Sequence, residues 1–341
     1  MPGPIRSWGL VPGLMPAGPR NLITDVPGVL VGHWTLHNAR HNTGVTAVVP
    51  RPDPYAHPLT AACEVVNGYG KTCGLVQIGE LGRLESPLLL TNTLNVGLAA
   101  DALVSLTVQR HPGLRSFNPV VGECNDAALN TITERVVGEA EVRAALDAAG
   151  PDFAQGCAGA GAGMICHELK GGIGSASRVL PGGYTVGVLA LCNHGQLAEL
   201  NVLGRRPGAA IRAALHTPPR PADKGSCMMI LATDLPLSSR QLRRVVRRCA
   251  AGLAHCGSYW GHGSGDIAIG FTTAHCWNRE ETADFVTQNI FNEDRLDPAF
   301  AAAAEATEEA VLNALAAART TTGPDGTVCP ALCEFKKELG L

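Results

Sequence analysis

The chain has 341 residues, 17% of them charged and 45% apolar, with a formal net charge of -3. That composition excludes a disordered chain, and the lack of a basic block outside one arginine-rich helix argues against a nucleic-acid partner. No run of about 18 apolar residues appears, so no membrane span is expected, and the start MPGPIRSWGLVPGLMPAGPR is broken by Gly and Pro where a signal peptide needs an unbroken apolar segment, which makes a cytoplasmic location the expectation.

Near the N-terminus GVLVGHWT and GVTAVVPR read as strands with Gly and Pro at their ends. NVGLAADALVSLTVQR has apolar residues spaced by three and four and predicts a helix. The glycine-rich stretch GAGAGMICHELKGGIG lacks both the G-K-[ST] ending of a P-loop and a clean G-x-G-x-x-G, so it is a poor nucleotide cradle. GYTVGVLALCN, ending on Asn193, is a near-continuous apolar run of strand length. CMMILATDL, after Ser226, and DIAIGFTTA, after Ser264, are two more. Runs apolar on both faces predict strands covered on both sides. The Pro/Arg/Ala-rich stretch from Arg205 to Lys224 reads as an exposed, flexible connection that ends at Gly225-Ser226.

Ser238 and Gln241 form an S-x-x-Q capping box before a helix whose apolar face is Leu242, Val245, Val246, Cys249 and Leu253. Arg243, Arg244, Arg247 and Arg248 cover its other faces and read as a solvated surface. Asp297 is expected to cap, with Pro298 in the first turn, a long Ala/Glu helix running to about Arg319. The 12 cysteines, in a chain of this length without a secretion signal, predict free buried thiols. Cys329 and Cys333 are spaced like a ligand pair, and His255, Cys256 and His262 lie upstream, but the second well-spaced pair of a zinc site is missing. No metal and no cofactor are expected.

Gly225-Ser226 permits a specific chemistry. The hydroxyl of a serine at the start of a buried strand can attack the preceding carbonyl, giving an ester that water splits. A glycine before it lets the backbone twist into the attack geometry. The new chain start then carries an α-amine that titrates near neutrality and can act as base for its own hydroxyl. On the dipeptide alone, an ordinary loop-to-strand junction is the simpler reading. Taken alone, Asn193 reads first as a strand-end turn residue and HGSGD as an ordinary turn, and Glu123 reads equally as a surface carboxylate.

The wider context changes this. KGSCMMILATDLPL followed by GSYWGHGSGDIAIGFTTA resembles the self-processing aminopeptidases of the N-terminal-nucleophile type, which include L-aminopeptidase D-Ala-esterase/amidase and the β-peptidyl aminopeptidases. NLITDVPGVLVGH, LLLTNTLNVG, PVVGECNDAALN and GAGAGMICHELKGGIGSASRVL resemble further segments of that family in the same order. The resemblance implies an α/β (α+β) chain folded as a four-layer αββα sandwich. It implies one catalytic domain over residues 1–341, cut autocatalytically between Gly225 and Ser226 into a large chain 1–225 and a small chain 226–341. Ser226 would be the nucleophile and Asn193 the oxyanion donor. Ser264 and Asp266 would stand near the nucleophile, and Glu123 where a substrate amine binds. Asn125 stands where the family commonly has tyrosine, and it cannot ionise as a phenol does. Cys227 is expected to point to the opposite strand face and to pack.

The activity so implied is release of N-terminal amino acids from short peptides, amides or esters through an acyl-enzyme, by a tetramer of processed units. Two alternatives stay open at this level. One is an amidase of another class in the same fold, such as a 6-aminohexanoate-oligomer or pantetheine-type hydrolase, although those tend to use threonine. The other is a binding protein that retains the fold without processing.

Overall fold

The computed structural model describes residues 1–216 and 225–341. The first strands in chain order are β1 (Leu30–His37), β2 (Asn42–Val49), β3 (Leu59–Gly68), β4 (Arg83–Leu84), β5 (Leu88–Asn92) and β6 (Val120–Cys124). They are followed by β7 (Ile165–Cys166), β8 (Leu169–Lys170), β9 (Gly172–Val179), β10 (Thr185–Asn193), β11 (Ser226–Thr233) and β12 (Gly265–Cys276). The helices are α1 (Leu75–Leu81), α2 (Val96–Arg110), α3 (Glu139–Asp147), α4 (Gly208–Leu215), α5 (Ser239–Val246), α6 (Cys249–His255) and α7 (Asp297–Ala316). A four-stranded sheet has the order β1-β2-β5-β6, and a six-stranded sheet the order β4-β3-β12-β11-β10-β9.

Three apolar layers separate four layers of structure. Between the sheets, Val31, Val48 and Leu90 meet Leu189, Leu191, Met228 and Ile230. On the outer face of the six-stranded sheet, Val188, Ala190, Met229 and Leu231 pack with Leu242, Leu253, Val311 and Leu315 of α5, α6 and α7. On the outer face of the other sheet, Val45, Ala47, Leu89 and Val121 pack with Ala99, Leu103, Val142 and Ala145 of α2 and α3. This is the expected αββα sandwich. It explains why β10 and β11 are apolar throughout: alternate residues point to opposite faces, and here each face is the wall of a different core.

The alanine-rich α7 lies close against β9. A side-chain carbon at Gly174 would stand only 1.8 Å from the carbonyl oxygen of Ala310, so glycine is the residue that admits the helix. The helix also carries buried charge. Glu309 pairs with Arg178 at 2.8 Å and with Arg6 at 2.6 Å, tying the N-terminal segment, β9 and α7 together. The glycine-rich stretch is interior, not a phosphate cradle. Gly159–Gly163 form a fully buried 3-10 turn, and Lys170 Nζ donates to the carbonyls of Gly161, Met164 and Gly171, each at 2.9 Å.

Several local expectations are corrected. The capping box forms: Gln241 N–H donates to Ser238 Oγ at 3.3 Å and Ser238 N–H to Gln241 Oε1 at 3.1 Å. The helix behind it, however, is two helices. Arg248 N–H bonds back to Val245 at 2.9 Å, an i→i−3 tightening that ends α5 while the apolar face continues into α6. Its arginines are not merely solvated, because Arg243 and Arg247 both pair with Glu64, at 2.8 and 3.1 Å. Asp297 is the first residue of α7 and makes no side-chain cap, and the helix ends at Ala316. The Pro/Arg-rich connection contains the helix α4, which buries Ile211; residues 217–224 of that stretch lie outside the described residues. The cysteines are free thiols, most of them buried. Among the described residues no helix is long and apolar enough to cross a membrane.

Candidate active site

Ser226 is the first residue of β11, in the middle of the six-stranded sheet, and is 7% exposed. It lies opposite Asn193 in the antiparallel register with β10 and opposite Gly265 in the parallel register with β12. Its Oγ accepts a hydrogen bond from Gly265 N–H at 3.2 Å. The same N–H reaches the Gly225 carbonyl oxygen at 3.3 Å. One donor therefore spans the hydroxyl and the carbonyl it would attack. A side-chain carbon at Gly225 would fall 2.0 Å from the Asn193 carbonyl oxygen and 2.4 Å from His194 Cα. Backbone crowding thus demands glycine before this serine.

Asn193 ends β10 and is held on both sides of its amide. Its Oδ1 accepts from Ile165 N–H at 2.8 Å, and its Nδ2 donates to the Asn125 carbonyl at 3.0 Å. An amide nitrogen carries two hydrogens, so one remains for an oxygen beside Ser226. The glycine-rich stretch earns its place here, since it leads the chain into β7 and Ile165. Asn125 itself is exposed, and its side chain accepts from Ala127 N–H at 2.9 Å. Its backbone supports the site, while its side chain forms a local turn.

Glu123 is buried on β6, not on the surface. One carboxylate oxygen accepts from Lys71 N–H at 2.9 Å, and the other is hydrogen-bonded by the Thr93 hydroxyl. The next residue, Cys124, donates its thiol to the Ser226 carbonyl at 3.4 Å, which places the end of β6 against the start of β11. A side-chain carbon built on Gly70 would lie 3.6 Å from Glu123 Oε1 and 3.7 Å from Gly265 Cα. The bare backbone of Gly70 therefore bridges the acid and the strand pair that holds Ser226.

Ser264 and Asp266 flank Gly265, and both are fully buried. Ser264 Oγ has no hydrogen-bond partner among the described residues. Asp266 is in register with Cys227 and with Asn67. Asn67 was not legible as a site residue. Its Nδ2 donates to the carbonyls of Gly261 at 3.1 Å and of Ser264, fixing the turn that delivers Ser264. Cys227 is fully buried and belongs to the apolar layer on the helix side, as its strand parity requires. Behind it gather the thiols of Cys192 and Cys166 and the His194 ring, a grouping that no ligand spacing along the chain announces.

Known proteins share this fold. The profile of Peptidase family S58 matches residues 21–329. The chain is 38% identical over 336 residues to the β-peptidyl aminopeptidase BapA of Sphingosinicella microcystinivorans, covering 91% of this chain and 84% of that protein. Its structure is similar to that of the PH0078 protein from Pyrococcus horikoshii, with a TM-score of 0.93, 40% identity and 98% of each chain covered. It is also similar to L-aminopeptidase D-Ala-esterase/amidase from Ochrobactrum anthropi, described as a prototype for the serine aminopeptidases and a variant of the Ntn hydrolase fold, with a TM-score of 0.90, 34% identity and 99% of this chain and 98% of that one covered. With a serine set between a crowded glycine and a facing asparagine inside that sandwich, the chain belongs to Peptidase family S58 and is a serine aminopeptidase of the Ntn hydrolase fold.

Proposed function

We propose that this chain cuts itself between Gly225 and Ser226 and then uses Ser226 to release N-terminal residues from short peptides and amino-acyl amides. The observation that carries the reading is the placement of Ser226: first in a central strand, after a glycine no side chain can replace, with Asn193 directly across. In the first step Ser226 Oγ adds to the Gly225 carbonyl carbon and its proton passes to the departing Ser226 nitrogen. The C–N bond breaks, leaving an ester. Water then adds to that ester, giving the Gly225 carboxylate and a Ser226 with a free amine and hydroxyl.

In turnover the roles repeat. The Ser226 amine takes the hydroxyl proton as Oγ attacks the substrate carbonyl. The remaining Asn193 amide hydrogen meets the negative charge that develops on the carbonyl oxygen. The Glu123 carboxylate, oriented by Lys71 N–H and Thr93, receives the substrate's ammonium group. Ser264 and Asp266 serve the new amine once the chain has opened. The scissile C–N bond breaks, its nitrogen departs as an amine with the proton held by the Ser226 amine, and water then hydrolyses the acyl ester on Oγ to free the N-terminal amino acid and restore the hydroxyl. Similarity to β-peptidyl aminopeptidases supports peptides whose first residue is a β-amino acid among the substrates. The processed units assemble as a tetramer in the cytoplasm, which light scattering and cell fractionation test.

Ser226→Ala decides the matter. The variant is expected to run as one chain on a denaturing gel and to have lost amide hydrolysis, where the parent gives two pieces meeting at Ser226. Cleavage at the same bond in the variant, or retained hydrolysis, overturns the assignment.

A further inference from the structure

The face of the strand pair opposite the nucleophile holds a second cluster. Cys166, Cys192 and Cys227 are fully buried, and His194 nearly so. Cys192 and Cys227 are direct cross-strand partners, and His194 follows two residues after Cys192. The ligand atoms of Cys192, His194 and Cys227 lie within 4.8 Å of one another. Cys166, from β7, brings its Sγ to 3.9 Å from His194 Nε2. His194 Nδ1 is buried and has no hydrogen-bond partner among the described residues. The His167 ring stacks edge-on at 5.4 Å and is itself fixed through Nδ1 to the Gln196 carbonyl at 2.9 Å.

We propose that Cys166, Cys192, Cys227 and His194 form a zinc site that pins the end of β10 to the start of β11. Three thiols and one imidazole, closed to solvent, are the donor set of a structural Zn²⁺ centre. In a tetrahedral site with Zn–S of about 2.3 Å and Zn–N of about 2.0–2.1 Å, ligand atoms stand roughly 3.5–3.8 Å apart. The ligand atoms of Cys192, His194 and Cys227, all within 4.8 Å of one another, and the 3.9 Å from Cys166 Sγ to His194 Nε2 lie within about 1 Å of that, and rotation of the Cys166 thiol completes the set. The site's closure means that zinc enters during folding and that the thiol protons leave as it binds. The inference does not depend on autocleavage, because the cluster is assembled in the continuous chain.

The test is metal content and spectrum. Protein expressed with zinc, then dialysed against a mild chelator, is expected to retain one zinc per chain by elemental analysis. Refolding from denaturant with Co²⁺ is expected to give the visible bands of tetrahedral cobalt and an intense thiolate-to-cobalt charge-transfer band. Cys192→Ser and Cys227→Ser are expected to lose the metal, and Cys276→Ser, at an exposed thiol, to keep it. Should the cysteine variants fail to fold, the parent chain decides alone. Refolding yield and melting temperature that rise with added Zn²⁺ at one equivalent support the site. No retained zinc, no cobalt charge transfer, or bands that persist in Cys192→Ser overturn it.

Discussion

The end of the β10–β11 pair shows two unlike faces one residue apart. Asn193 and Ser226 face the space between the sheets, and Cys192 and Cys227 face the helices. On the first face the contacts are short and directional: 2.8 Å from Ile165 N–H to Asn193 Oδ1, 3.0 Å from its Nδ2 to Asn125, and 3.2 Å from Gly265 N–H to Ser226 Oγ. On the second they are longer, such as the 3.9 Å between Cys166 Sγ and His194 Nε2. The hydroxyl-and-amide face is set for reaction, and the thiol-and-imidazole face is a joint. Because neighbouring residues share one backbone, any movement of the joint moves the reactive pair. A rigid site here needs both faces, and their roles separate by experiment.

The largest effect after loss of the nucleophile is expected from Asn193→Ala. Removing one oxyanion donor lowers kcat by about 10²–10³. Because Asn193 also links Ile165 to Asn125, autocleavage should slow as well, which a time course on a denaturing gel reads. Normal kcat in this variant would move the oxyanion donor elsewhere and break the contrast between the faces.

Glu123→Gln is expected to act more selectively. A charge-assisted hydrogen bond is worth about 1.5–3 kcal/mol, so kcat/KM for substrates with a free amine should fall roughly 10–100-fold. N-acylated substrates should be little affected. Equal losses for both would remove Glu123 from amine recognition and leave it as a brace for Lys71 and Thr93.

The reactive face was largely legible in the sequence, and the other face was not. Ser226, Asn193, Glu123, Ser264 and Asp266 sit in contiguous segments whose order resembles a family, so each could be placed by its neighbours. Cys166, Cys192, Cys227 and His194 have no ligand spacing along the chain. They meet because β10 and β11 pair in one register and the glycine-rich turn folds β7 against their ends. Spacing rules saw Cys329 and Cys333 instead, which take part in no such grouping among the described residues. The same limit hid Asn67, which acts through backbone carbonyls nearly two hundred residues away. It also hid Glu309, whose burial depends on Arg178 arriving from β9. The helix α4 was missed because Pro and Arg mask its one buried side chain, Ile211.

A last effect falls on stability and not on turnover, and concerns what supports the reactive face. Next to Asn125, Asp126 is fully buried, with Thr43 Oγ1 donating to it at 2.6 Å and Asn130 Nδ2 at 3.0 Å. Asn92 Nδ2 donates in turn to Thr43 Oγ1 at 2.9 Å. Burial pushes the Asp126 carboxyl up to about 6, against the pull of those hydrogen bonds. Its folded pKa thus exceeds the unfolded one, so the neutral acid is the form the fold prefers. The contribution to stability is complete below the unfolded value near pH 4 and is lost as pH rises through about 6, amounting to about 3 kcal/mol. His33 acts with the opposite sign in the same window, because burial lowers its pKa to about 4. The parent chain alone therefore mixes the two, and a difference measurement is needed. Asp126→Asn keeps the neutral shape and removes the titration. Urea unfolding of parent and variant at pH 4, 5, 6 and 7 should give a stability difference that shifts toward the variant across this range, with His33 cancelling. Parallel curves would mean that Asp126 titrates at its ordinary value, and that the network under Asn125 holds a carboxylate at no cost to the fold.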